Sequence, residues 1–175
     1  MHNIVFHLKN TYTMALNAYL TIPSIPGPIA SKGPRTNSIL ALGVSHSISV
    51  ATDITGAVSG SYASRPFVVT KEIDIASPLL YNALTINPSP LVLPSVTIDF
   101  WAPVLNPAPG NDGEALFYTI TLSGPKIISI NFNMANNLLP LNVTMPPLET
   151  VTFTYASIQW TIANGGASAN APYIG

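Results

Sequence analysis

Phe67-Val68-Val69-Thr70-Lys71-Glu72-Ile73-Asp74-Ile75-Ala76-Ser77-Pro78-Leu79-Leu80-Tyr81-Asn82-Ala83-Leu84 is the stretch on which the reading of the fold turns. It opens on a β-branched run, Phe67–Thr70, suited to a pleated, half-buried strand. Lys71, Glu72 and Asp74 follow, a charge cluster in a chain with little charge elsewhere. A helix start comes next. Ser77 offers a side-chain oxygen as N-cap, and Pro78 fits the first helical position, where its missing N–H would have had no partner. Leu79, Leu80, Ala83 and Leu84 share roughly one helical face. Asn87-Pro88 stops the helix, because the residue before proline is pushed out of the helical region. The reading is one strand feeding one short helix at about residues 77–86, the one regular helix expected in the chain.

On either side the chain reads as strands and turns. Leu16, Ala18, Leu20 and Ile22 alternate with Asn17, Tyr19 and Thr21, which predicts a strand over 15–22. Four prolines and two glycines make 23–34 a loop. Strands are expected at 38–50 and 62–73, with the Gly/Ser/Thr/Ala segment Asp53–Ser61 between them as a protruding hairpin. Further strands are expected at 91–102 (pairing only after Pro94), 114–122 and 126–134, with turns at 106–113 and 123–125 and a Pro-rich loop at 136–147. The last strand, 148–162, carries a phase change. Val151, Phe153 and Tyr155 hold odd positions, whereas Ile158, Trp160 and Ile162 hold even ones. A one-residue slip flips the buried face, and a bulge near Ala156-Ser157 would absorb it. About seven strands and a mid-chain helix predict a mainly β fold, an antiparallel β-barrel or closed sandwich with one lateral helix.

Composition narrows the function. The 175 residues suit one domain with a sizeable core. Apolar residues make up 47% of the chain, but charged residues only 7%, against about 25% in a typical soluble domain. Ser, Thr, Asn and Pro stand in for charge. Either neighbouring subunits cover much of the surface, or the chain is an uncharged extracellular module. A net charge of −1 provides no basic footprint for nucleic acid. The absence of cysteine excludes disulfides and thiolate metal sites. No apolar run is long enough to cross a bilayer as a helix, so no stable membrane insertion is expected. Residues 1–13 lack the basic head of a secretory signal and read as an extension upstream of a start at Met14. The domain proper is then 14–163, and 164–175 is a flexible tail or one docked on a neighbour.

Chemistry is sparse. His46 lies between Ser45 and Ser47 with Asp53 nearby in sequence, but no strained nucleophile elbow accompanies them, and a histidine on a strand face is usually a packed or surface residue. His2 and His7 match no zinc spacing. Asp112-Gly113-Glu114 offers too few oxygens for a calcium loop. Asp99, Asp112, Glu114 and Glu149 could form a carboxylate pair only by coincidence. Asn142-Val143-Thr144 is a chance-level glycosylation sequon. No cofactor, metal or catalytic residue is expected. Lys71, Glu72 and Asp74 have two readings of equal weight: a solvated strand end near a helix N-terminus, or a subunit contact that sets register.

Together the landmarks resemble one family. Met14-Ala-Leu-Asn-Ala-Tyr-Leu-Thr-Ile22 resembles the opening strand of Hcp, the hemolysin co-regulated protein of type VI secretion systems. Thr70-Lys71, Asp74 and Ser77-Pro78 with Leu80 are similar to that family's Thr-Lys-x-x-Asp-x-x-Ser-Pro-x-Leu segment. Tyr118–Leu122 with Ile127–Ser129 resembles its late strand pair, and Glu149–Thr161 its closing strand. The resemblance implies a non-enzymatic tube subunit: a barrel with a lateral helix, homohexameric rings, and rings stacked into a tube. It further implies a contractile sheath, a spike protein and effector cargo as partners. The protein would reside in the bacterial cytoplasm before firing and then be secreted without a signal peptide. The family's extended hairpin helps rings stack. Here that role falls on Val50–Ser61, with Thr52, Asp53, Thr55 and Val58 as candidate contacts beside Lys71, Glu72 and Asp74. Low charge and Pro-rich loops depart from the family's more charged, glycine-rich pattern. Two other readings stay open: a tail-tube protein of a contractile phage-like particle, and an extracellular β-sandwich adhesin or carbohydrate-binding module.

Overall fold

The computed structural model describes residues 16–30, 33–86, 89–104, 113–163 and 165–175. The extension at 1–13, Asn87-Pro88 and the turn from 106 to Asp112 lie outside the described residues. In chain order the elements are β1 (Asn17–Thr21), β2 (Ile39–Ala41), β3 (Gly43–Ser45), β4 (Ile48–Thr52), β5 (Val58–Ser64), β6 (Phe67–Glu72) and α1 (Ser77–Thr85). Then come β7 (Ser95–Pro103), β8 (Glu114–Ser123), β9 (Lys126–Asn133), a 3-10 turn at Pro140–Asn142, β10 (Leu148–Thr154), β11 (Ser157–Ile162) and β12 (Ser168–Pro172).

The mainly β class with one lateral α-helix is as the sequence suggests, but the strands do not close into a barrel. They form a six-stranded sheet, β12-β11-β8-β7-β1-β2, a four-stranded sheet, β3-β6-β10-β9, and a separate β4-β5 hairpin. All pairings are antiparallel. Among the described residues the twelve strands exceed the expected seven or so, mainly because segments that read as one strand are divided between elements. Segment 38–50 divides into β2, β3 and β4, each in a different sheet. At the first of these corners the Leu42 N–H donates to the Thr70 carbonyl at 2.8 Å. Segment 62–73 breaks at Arg65-Pro66, where proline can no longer donate to a ladder.

The phase change in 148–162 has a similar cause. Rather than a bulge at Ala156-Ser157, the chain leaves the four-stranded sheet after β10 and enters the six-stranded sheet as β11. The core is then met from the other side, so the buried parity switches. True irregularities in register lie elsewhere: opposite β9 between Thr152 and Phe153, opposite β8 between Phe100 and Trp101, and opposite β5 between Val50 and Thr52. The segment expected as a flexible tail carries a strand. Residues Ser168–Pro172 pair with β11 in register from Ser157↔Pro172 to Thr161↔Ser168, which makes β12 the edge of the large sheet.

One core lies between the sheets and under the helix. Leu20, Ile98, Leu122 and Ile158 from the large sheet meet Phe67, Val69, Ile127, Val151 and Phe153 from the smaller one. Such alternation is what a sheet with one wet face requires. The helix inserts Leu80 and Ala83 into the same cluster, while Leu79, expected on the inner face, points outward. Its N-cap is Ala76 and carries no side-chain cap bond; Ser77 is the first helical residue and turns inward instead.

Candidate functional site

Period two decides the fate of the charge cluster. On β6, Phe67, Val69 and Lys71 occupy inward positions, and on β10 so do Glu149, Val151 and Phe153. Register then sets Lys71 directly opposite Glu149. Both side chains are fully buried, and the Lys71 ammonium lies 2.7 Å from Glu149 Oε1. Lys71 Nζ also donates to the Glu72 carbonyl at 2.6 Å and to Ser77 Oγ at 3.1 Å, and it lies 3.0 Å from Asp74 Oδ1. Ser77 Oγ donates to Glu149 Oε1 at 2.7 Å and accepts from the Asp74 N–H at 3.1 Å. Asp74 Oδ1 accepts from the Ala76 N–H at 2.8 Å. An ammonium with three donors is thus fully used, and the network ties the end of β6, the start of α1 and β10 into one node. Lys71 is therefore inside, Asp74 is half-buried within the node, and only Glu72 of the three is exposed. Glu149 and Ser77 went unnoticed as its partners. Their parity and the inward parity of Lys71 were the available signals.

A second buried pair joins Arg35 to Glu114. Asn17 also donates to Glu114. The Arg35 guanidinium lies 5.2 Å from the Tyr19 ring centroid and 4.9 Å from that of Trp101, a cation–π sandwich. Arg35 fixes the loop between β1 and β2 onto the large sheet.

Thr52, Asp53, Thr55 and Val58 fall together on the β4-β5 hairpin, which does project from the body. All of β4 is exposed, and Ile54 at the tip is fully so. Asp53 Oδ1 accepts from the Thr55 N–H at 2.8 Å, the Thr55 hydroxyl at 2.7 Å and the Ala57 N–H at 3.0 Å. Those bonds, the Thr55 hydroxyl foremost, hold the Asp53 carboxyl below its usual pKa. Gly56, with φ of 85°, supplies the left-handed position that the turn needs. The hairpin root is braced by the C-terminal segment: Tyr62 donates its hydroxyl to the Pro172 carbonyl at 2.8 Å, and the Ser64 N–H to the Ile174 carbonyl at 2.6 Å.

The opposite end of the four-stranded sheet presents a different surface. The β9–β10 connection exposes Met134, Leu138, Leu139, Leu141, Val143 and Met145, with Leu138 at 88% and Leu141 at 92% of full exposure. The registers Phe67↔Phe153 and Leu148↔Asn133 place the hairpin root and this loop at opposite ends of the sheet. Large apolar surfaces of this kind mark interaction sites.

Among the described residues the candidate His46 and Asp53 do not form a catalytic grouping. His46 Nε2 lies 2.6 Å from the Tyr155 hydroxyl and packs against Phe67 and Trp160, and burial lowers its pKa. Asp99, beside Thr119, is raised by burial. Among the described residues no three His, Asp or Glu side chains gather as a metal site, and no helix is long and apolar enough to cross a membrane.

A small β-domain with a lateral helix, two buried ion pairs and an exposed apolar loop has the features of a subunit covered by neighbours. Residues 19–162 match the family model described as type VI secretion system effector, Hcp, and the chain belongs to the Hcp family. It is 29% identical over 171 residues to the major exported protein of Pseudomonas aeruginosa, an alignment covering 90% of this chain and 95% of that one. Among solved structures it is similar to an Hcp protein at 26% identity and TM-score 0.76, covering 92% of this chain and 99% of that one. It also shares the fold of Hcp1 from E. coli EAEC 042, at 24% identity and TM-score 0.73 over 91% of this chain and 98% of the other. The chain is a secreted tube protein of a type VI secretion system, from a structural family whose members assemble as rings.

Proposed function

We propose that this chain forms homohexameric rings that stack head to tail as the inner tube of the secretion apparatus. A contractile sheath propels the tube, a spike protein caps it, and effectors ride in its lumen. The subunit works mechanically and catalyses nothing. It waits in the bacterial cytoplasm and leaves through its own apparatus. The observation that carries this reading is the pair of exposed surfaces at opposite ends of one sheet, the hairpin with Ile54 and Val58 and the loop with Leu138 and Leu141. A copy placed end to end covers both, as a low-charge chain requires. Thr52, Asp53, Thr55 and Val58 act in ring stacking, together with Glu72 and Asp74 at the other end. Lys71 contributes by holding Asp74 and the helix start in place.

Electron microscopy of the purified protein tests the proposal. Six-fold rings and short stacks are expected for the full chain. Deleting Thr52–Gly60 should leave rings and remove stacks. A monodisperse monomer at high concentration would overturn the ring reading, and undiminished stacking after the deletion would overturn the role of the hairpin.

A further inference from the structure

Charge along the four-stranded sheet is polarised. Of the six Lys and Arg residues, Lys71 and Arg35 are buried in ion pairs. Among the described residues the remaining two cations are Arg65, which is exposed, and Lys126, which is half-buried. Arg65 stands just before β6 and Lys126 opens β9. The registers Phe67↔Phe153 and Thr154↔Lys126 put both at the hairpin end. Asp53, the acid on that side, is held by its own turn. At the opposite end of β6 stands Glu72, exposed and without an ion-pair partner among the described residues.

Glu72 borders a recess of about 180 Å³ that it lines with Pro28, Ile29, Leu40, Ile73 and Asp74. Four of the lining residues are apolar and two, Glu72 and Asp74, are acidic. Asp74 Oδ1 is already engaged by Lys71 and the Ala76 N–H, so Glu72 supplies the uncommitted charge. This chemistry suits a side chain with an aliphatic stem and a cationic head. Arginine fits best, since its planar fork can bind a carboxylate through two parallel bonds while its stem lies on apolar surface.

Building on the head-to-tail reading above, we propose that the recess is the socket for Arg65 of a second copy stacked on this end. The plug and the socket flank one strand: Arg65 precedes β6 and Glu72 closes it. A copy displaced along β6 by about the length of the domain brings its Arg65 over Glu72. In so charge-poor a chain, this pair gives the stack its direction, because either end meeting its own kind would oppose like charges.

A charge-swap series on the full chain tests the socket. Arg65→Glu and Glu72→Arg each place like charges at the junction and should lower ring-to-ring association at least about tenfold, read as stack length by electron microscopy and as sedimentation. Combining the two should restore stacking, and added salt should weaken the unmodified stacks. Both positions are exposed, so unchanged thermal unfolding of each variant is expected and confirms folding. Stacking that survives both single changes in a protein that otherwise stacks would overturn the socket while leaving head-to-tail assembly intact. Loss on Lys126→Glu but not on Arg65→Glu would overturn Arg65 as the occupant. A full chain that never stacks would overturn the assembly reading itself, and the socket with it.

Discussion

The node around Lys71 and the loop around Leu141 invert the usual arrangement of a soluble protein. In the node, four polar side chains that would normally seek water are packed under a helix: Lys71, Asp74, Ser77 and Glu149. In the loop, residues that would normally form a core stand in solvent: Leu138, Leu141, Val143 and Met145. The node closes within one chain: its donors and acceptors meet at 2.6–3.1 Å, and Glu149 Oε2 is its one buried oxygen without a partner. The loop is incomplete, because nothing among the described residues covers it. Charge that elsewhere keeps surfaces apart has been moved inside, and the surface left behind favours contact with a neighbour.

The largest test of this contrast lies in the node. Lys71→Met leaves Glu149 as a buried carboxylate without its counter-charge. Breaking one side of such a pair costs about 3–5 kcal/mol, so the denaturation midpoint should fall by a large part of the total stability. Replacing both partners, Lys71→Met with Glu149→Leu, removes the orphaned charge and should recover most of the loss. A small cost for Lys71→Met alone would mean that water reaches Glu149, and the node would no longer be the closed counterpart of the open loop.

The loop should respond in the opposite sense. Leu138→Ser with Leu141→Ser removes apolar surface that is already wet, so monomer stability should change by no more than about 0.5 kcal/mol. Stack formation should fall about tenfold or more, because the contact loses its apolar burial. Chemical denaturation and electron microscopy on the same variant read the two effects apart. A large loss of stability with normal stacking would reverse the roles assigned to the two regions.

Much of this is legible in the sequence. The helix from Ser77, the projecting hairpin, the late start of the strand after Pro94 and the phase change in the last strand follow from local signals in the sequence. Closure was not legible, because a strand that turns a corner into another sheet keeps its strand-like composition. Thus 38–50 and 148–162 each read as one strand although they serve different sheets. Inward charge was legible in principle. Lys71 shares the parity of Phe67 and Val69, and Glu149 that of Val151 and Phe153. The general tendency of lysine to be exposed outweighed that parity. The pairing of those two residues required the register of β6 on β10, which no local pattern supplies. The Arg35–Glu114 pair is harder still, since its members lie 79 residues apart and one of them sits in a loop.

The smallest expected effect lies at the hairpin tip, where an exposed acid does locally what the node does in the core. Asp53 accepts from two backbone N–H groups and one hydroxyl, and these bonds lower its pKa from 3.8. A carboxyl whose folded pKa is depressed supports the folded turn above its unfolded pKa. That support fades as pH falls through the lower, folded value. Acidification below the ordinary carboxylate range should therefore speed amide exchange at Thr55 and Ala57 while the core amides of β6 and β10 stay protected. Asp53→Asn keeps an acceptor oxygen but loses the charge, so exchange at neutral pH should rise modestly; Asp53→Ala removes the acceptor and should raise it further. Because the tip carries Ile54 and Val58 into solvent, loosening it should blunt stacking less than removing either apolar surface. Equal exchange in all three proteins would show that Gly56 and the β4-β5 pairing hold the tip unaided, and the likeness between tip and node would then fail.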